Sequence, residues 1–302
     1  MLTKLLRHAT PLALLLGAPN ALAQGTAQTP AASDADPALW VVKDKDTTIY
    51  LFGTVHILKP GLSWFDEAVK KAFDASGELV TEIGGTPDPA KAQQLIMKYG
   101  FNPSGPTLTE KLPEDKRAAF AKAVADLGLP QAAIDRFDPW LAGVQMTMLS
   151  LVRLGYNPQS GVEQALDTAA KAANKPVSGL ESVEEQFSFF DSLSEDAQIK
   201  FLVETIDKLP EAGPALDKMV AEWGAGDADG LAAIMNEGFK ASPEVSKKLL
   251  SDRNARWAEW IDTRLDKPGV VFVAVGAGHL AGPESVQAYL AKRKIKSKRV
   301  KY

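Results

Sequence analysis

The chain of 302 residues contains three histidines, and two of them close the same kind of phrase. Residues 51–56 read LFGTVH and residues 274–279 read AVGAGH. His56 and His279 therefore each stand at the end of a Gly-x-x-His motif that follows an apolar, aromatic-containing run. A neutral imidazole can act as a general base or as a metal ligand. A glycine just before it lets the backbone turn sharply or approach another segment closely. In α/β sheets, ligands bind beyond the carboxyl ends of the strands. If the two runs are parallel neighbours, both imidazoles face one crevice. One Gly-x-x-His is a weak pattern, but two in matching settings far apart in the chain point to a joint site.

A carboxylate is available at the same edge. In GELVTEI (77–83) the alternation of a strand puts Glu78, Val80 and Glu82 on one face, with Glu82 nearest the carboxyl end and Glu78 at a solvated strand entry. Two His and one Glu, namely His56, His279 and Glu82, form the kind of open ligand set on which a metal-dependent hydrolase lowers the pKa of bound water. The chain has no cysteine, so the ligands are imidazole and carboxylate and the metal is Zn, Mn, Co or Fe. No His-Glu-x-x-His helix is present, which separates the site from ordinary zincins.

The elements that must carry these residues follow from periodicity. LWVVKDKDTTIYLFGTVH reads as a hairpin with its polar turn at Lys43–Asp46, and SWFDEAVKKAFDAS (63–76) as a helix opened by a serine cap. GELVTEI is a short strand, VSGLES another, and GVVFVAVGAGHL (269–280) a strand buried on both faces. Between about residues 87 and 265 the pattern is overwhelmingly helical, with caps or prolines at the starts and glycines at the ends. The stripes Phe187, Phe190 and Phe201 and Met146, Met148 and Leu149 read as core. A helix near 283–292 and a strand SKRVKY close the chain, the basic tail fitting a solvated edge strand. The fold class is α/β (α+β), with a central mixed sheet built from both ends of the chain and a large helical insert.

The start of the chain sets the expected location. Residues 1–23 have a basic head (Lys4, Arg7), an apolar stretch from Pro11 to Ala18 and a small-x-small ending at Ala21-Leu22-Ala23. That is the layout of a secretory signal peptide cleaved after Ala23, and its apolar stretch is too short to span a bilayer. No cysteine follows to take a lipid anchor. Residues 24–37 are small, polar and proline-containing and read as a flexible leader, leaving 38–302 as one domain in the periplasm or secreted. The formal charge of −4 becomes −6 once Lys4 and Arg7 depart, so nothing points to nucleic acid or to an anionic membrane as partner.

YLFGTVHI, ELVTEI, GVEQALDTAAKAANKPVSGLES with Gln186 after it, DRNARW and VAVGAGHLAGPESV occur in the order seen in the TraB/GumN family. The chain resembles that family from about Leu39 to its end. The family is related to the Tiki proteins and more distantly to the haem-uptake ChaN and erythromycin-esterase groups. The resemblance implies an α/β core with duplicated halves and a metal-dependent hydrolase site around the two histidines. By analogy with the membrane-associated Tiki metalloproteases, it implies a peptide or protein substrate. Matched motif by motif, the site residues are His56, Glu82, Glu163, Arg253, Asn254 and His279, with Glu181 as a supporting or structural residue.

Physical roles follow for these residues. Glu163 sits at a helix start where the dipole favours a carboxylate, as ligand, general base or cap. Arg253 offers a charged fork of donors for a developing oxyanion, and Asn254 an amide to orient that arginine or a substrate carbonyl; a structural role tying the long helix to the sheet fits both equally. Three functions remain open: a metal-dependent peptidase, a haem-, metal- or peptide-binding protein without turnover, and a metal-independent esterase with one histidine as base.

Overall fold

A computed structural model describes residues 33–239 and 242–302. The signal-peptide expectation for residues 1–23 lies outside them. Strand β1 (Ser33–Asp34) opens the described chain, followed by β2 (Leu39–Lys43), β3 (Thr47–Thr54), β4 (Leu62–Ser63) and β5 (Glu78–Thr81). The remaining strands are β6 (Val177–Gly179), β7 (Gly269–Gly276) and β8 (Ser297–Arg299). Six of them form one mixed sheet in the order β6-β5-β7-β3-β2-β8. The expected hairpin is β2–β3, paired antiparallel from Leu39↔Phe52 to Lys43↔Thr48. The two histidine-bearing runs are indeed parallel neighbours, with β3 and β7 in register from Thr47↔Gly269 to Thr54↔Gly276. On the far side of β7 lie β5 and then β6, both parallel to it. Four carboxyl ends therefore open on one edge.

The core explains the composition of these strands. Along β3 and β7, alternate residues enter two different clusters. Phe52, Phe272 and Ala274 join Leu79 beneath the helices Glu67–Ala75 and Val162–Ala172. Ile49, Leu51, Val271, Val273 and Val275 join Val80 beneath the helices Asp252–Leu265 and Val286–Lys292. A sheet covered on both faces needs apolar residues at every position, hence the uninterrupted run GVVFVAV. Phe272 sits between the Phe52 and Phe73 rings, each 5.7 Å away centroid to centroid.

Three expectations are corrected. The leader does not run unpaired to residue 37: Ser33 and Asp34 pair in parallel with Leu62 and Ser63, and Ala35 is buried. Strand β7 stops at Gly276, and His279 lies in the following 3-10 turn Ala277–Leu280 rather than on the strand. The first helix begins at Glu67 behind Asp66, with Ser63 donating its hydroxyl to Asp66 rather than capping the helix. The edge strand β8 pairs antiparallel with β2, as its lysines lead one to expect. Helices fill most of 89–265, and no helix among the described residues is long and apolar enough to cross a membrane.

Truncating the ring at the centre of the sheet tests this packing. Phe272→Ala should lower the unfolding free energy by about 3–5 kcal/mol in urea titration, the range for a fully buried phenylalanine.

Candidate active site

The carboxyl edge of the four parallel strands carries the chemistry. His56 lies two residues past β3, Glu82 one past β5, Glu181 two past β6, and His279 in the turn after β7. A fifth element, the helix Asp252–Leu265, supplies Arg253 and Asn254 from its first turn. It follows a π-helical turn, Lys247–Ser251. Such turns recur at functional sites because they rotate side chains out of the regular helical row.

His56 is paired with Glu163 across the crevice. Its Nδ1 lies 2.6 Å from Glu163 Oε1, which also accepts the Thr54 hydroxyl at 2.5 Å. The local sequence explains the approach. A side chain at Gly161 would overlap the His56 carbonyl, so only glycine lets the two segments meet, and Val162 then donates its N–H to Val55 O at 3.0 Å. Glu163 follows in the first helical turn. The Glu163 charge raises the His56 pKa to about 9 against the opposing effect of burial. Burial pushes the Glu163 carboxyl up, but the His56 ring and the hydrogen bonds from His56 and Thr54 hold it below the usual range. Half of the His56 side chain is exposed to the crevice, so its Nε2 edge is the accessible one.

Glu82 and His279 are organised by Arg253. Glu82 Oε1 accepts the Gly276 N–H at 2.8 Å, and Oε2 accepts from Arg253 Nη2 at 2.6 Å and Gln186 Nε2 at 2.9 Å. Arg253 also binds Glu181 through Nε (3.0 Å to either oxygen) and Nη2 (2.8 Å), and donates through Nη1 to Leu249 O at 3.0 Å. The remaining Nη1 hydrogen faces His279 Nε2 at 3.1 Å. His279 Nδ1 donates to Asn254 Oδ1 at 2.6 Å, and Asn254 Nδ2 donates to Glu284 O at 2.7 Å. Burial pushes His279 down to about 3, with Arg253 adding to the effect, so its ring stays neutral. Burial also works against the charge on Glu82, but Arg253, His56 and the Gly276 N–H hold its carboxyl far below the usual range. Burial likewise works against the charge on Arg253, which Glu82 and Glu181 more than offset.

The expected residues are therefore together, and the contacts of Arg253 and Asn254 are those of the structural alternative, tying the long helix to the sheet edge. Every N–H of Arg253 is engaged, leaving none for an oxyanion in this arrangement. Asn254 fixes the His279 tautomer instead of orienting the arginine. The metal expectation meets a specific obstacle. A side chain at Gly276 would come within 3.2 Å of Glu82 Oε1, 3.8 Å of His56 Nε2 and 3.5 Å of the His279 ring, so the three groups do converge there. The His279 Nε2 lone pair, however, points at the Arg253 guanidinium, and among the described residues no group of three or more His, Asp or Glu is arranged to hold a metal ion. As arranged, His56, Glu82 and His279 do not fit a metal.

A cavity of about 370 Å³ opens onto His56, Glu82, Glu163 and Arg253. Its apolar wall includes Phe187, Phe189 and Phe190. Phe187 is fully buried and packs edge-on against Trp140 at 5.8 Å, so this member of the stripe expected as core is core and cavity wall at once, while Phe190 is partly buried in the wall and Phe201 lies outside it. Sequence reasoning missed Thr54, although it stands inside the first motif, and it missed Asp167, one helical turn beyond Glu163. Asp167 is buried and lines the same cavity. Its Oδ2 is bound by Lys171 and Thr86, and its Oδ1 has no partner. Leaving such an acceptor unpaired costs about 1–3 kcal/mol.

Fold and site together define a three-layer α/β protein with a His–Glu pair and a buried Arg–carboxylate cluster at the carboxyl edge of its parallel strands. The profile of the TraB/PrgY/gumN family matches residues 38–299, and the chain belongs to that family. An uncharacterized protein of Treponema pallidum (strain Nichols) is 22% identical over 280 residues, spanning 87% of this chain and 82% of that protein. No solved structure matches the chain.

The His56–Glu163 pair has a direct spectroscopic signature. In a proton NMR titration His56 should lose its proton near pH 9, and Glu163→Gln should bring that transition back toward the ordinary value of about 6.5. His56 carries the raised pKa, so the stability gained from the pair is fully present below about pH 6.5 and is lost as the pH rises through 9.

Proposed function

We propose that the protein is a hydrolase of carbonyl substrates, esters or amides, in which His56 is the general base and Glu163 holds it in place. The observation that supports this reading most is the 2.6 Å His56–Glu163 contact, with the imidazole half exposed to an apolar cavity. A base fixed through Nδ1 presents Nε2 outward, and an oriented base of this kind contributes about 10²–10⁴-fold to rate. A water beside Nε2 gives its proton to His56 as its oxygen adds to the carbonyl carbon. The same proton then goes to the departing alcohol or amine. Because only neutral imidazole can take the first proton, the rate should rise with pH toward 9. The phenylalanine wall receives the apolar part of the acyl group. The family resemblance makes peptides the substrate class to try first, and the signal-like start at residues 1–23 makes the periplasm or the exterior the place of action.

The metal-dependent reading keeps one specific observation in its favour, the convergence of His56 Nε2, Glu82 Oε1 and the His279 ring on Gly276. It requires Arg253 to leave His279 Nε2.

The test uses the purified protein, assayed on a panel of p-nitrophenyl esters and peptide anilides before and after exhaustive chelation. Turnover should survive chelation, and His56→Ala should lower kcat/KM by about 10²–10⁴-fold. Turnover that vanishes on chelation and returns with Mn, Co, Zn or Fe would assign the chemistry to a metal on His56, Glu82 and His279. Absence of turnover over the whole panel overturns the hydrolase reading.

A further inference from the structure

Among the described residues that line the cavity, Asp167 is the one that keeps a buried side-chain oxygen without a hydrogen-bond partner, and the proposed reaction does not use it. It lies four residues after Glu163 on the helix Val162–Ala172, so the two carboxylates share a face about 6 Å apart along the axis. Asp167 is 4% exposed. Lys171 Nζ and the Thr86 hydroxyl bind its Oδ2 at 2.5 and 3.1 Å. Oδ1 is buried against the cavity wall with no donor facing it. Above it runs Gly85, held at φ +93, where an added Cβ would stand 3.5 Å from Oδ1. Arg253 and His56 are both cations of the cavity wall, but Arg253 is held by Glu82 and Glu181, His56 by Glu163, and Lys171 by Asp167 Oδ2, so none of them pairs with Oδ1. Phe187, Phe189 and Phe190 make the rest of the wall apolar.

We propose that Asp167 Oδ1 receives a primary ammonium group of the substrate, so that the site selects amides or esters carrying a positively charged amine near the reacting carbonyl. The assignment rests on the hydrolase reading for what happens to the substrate, but not for its binding. A carboxylate oxygen is acceptor-only, so its missing partner must be a donor. An ammonium is a compact donor that suits a single free oxygen, where a planar guanidinium would seek two. The amine has two sources, a free peptide N-terminus or a lysine side chain.

Calorimetric titration of His56→Ala protein, which lacks the proposed base and keeps Asp167, separates them with three tetrapeptide amides. One has a free N-terminus and no lysine, the second is N-acetylated with a lysine, and the third is N-acetylated with norleucine in the lysine position. One of the two amine-bearing peptides should bind about tenfold or more tightly than the norleucine peptide, as expected for a charge-assisted hydrogen bond. Adding Asp167→Asn, an isosteric change, should abolish that difference and leave the norleucine affinity unchanged. Three equal affinities in the parent overturn the proposal, whether or not the double variant folds. So does an amine preference that survives Asp167→Asn in a variant with an unaltered melting temperature. Amine-dependent binding without turnover by the wild type would sink the hydrolase reading alone, and turnover without amine preference would sink this proposal alone.

Discussion

The Arg253 guanidinium is the interaction on which the site depends. It is 7% exposed, held between the carboxylates of Glu82 and the buried Glu181, with the His279 ring against its third edge. Three elements that are remote in sequence, the ends of β5 and β6 and the start of a long helix, are tied by this one group. Trp257 closes the cluster from below. It stacks 4.7 Å under the guanidinium, donates its indole N–H to Glu181 at 3.1 Å, and lies 4.3 Å from the His279 ring. Such a cluster is costly to desolvate, and its value lies in satisfying every member at once.

The sheet makes that concentration of charge possible. Parallel strands in the order β6-β5-β7-β3 end together, and helices cover both faces, so polar groups past the strand ends are partly dry without being sealed. His56 escapes the cluster because Gly161 allows its carbonyl to pack against a second backbone, which turns the imidazole toward Glu163 and the cavity. The result is two histidines in opposite states. One is charged and half exposed, and the other is neutral and buried. Matching motifs have been given different work by their second partners.

Much of this was legible in the sequence. Strand β7 announced itself by a continuous apolar run rich in valine, and the matched Gly-x-x-His motifs pointed to the strand edge where His56 and His279 meet Glu82. Glu82 followed from alternation along a short strand. What sequence could not show was contact. Arg253, Gln186, Glu181 and Glu82 carry no mutual spacing, because they come from separate elements that meet only in the fold. The end of β7 at Gly276 was hidden because Ala277 and Gly278 continue the small, apolar pattern of a strand into a 3-10 turn. The pairing of Ser33–Asp34 with Leu62–Ser63 was invisible for a simpler reason: two residues have no periodicity. Asp167 looked like one more polar residue of an amphipathic helix until the loop at Gly85 covered it.

The most direct test of the account is the unfolding free energy of Arg253→Met across a range of pH. Glu82 has a depressed pKa, so its contribution is present at neutral pH and is lost as the pH falls through the acid range. Removing Arg253 takes away the cation between Glu82 and Glu181 and leaves Arg256 as the remaining ion partner of Glu181, so the variant should be less stable than the wild type by about 3–5 kcal/mol at neutral pH, with the gap narrowing in acid as Glu82 takes up its proton. A variant as stable as the wild type at neutral pH would contradict the account.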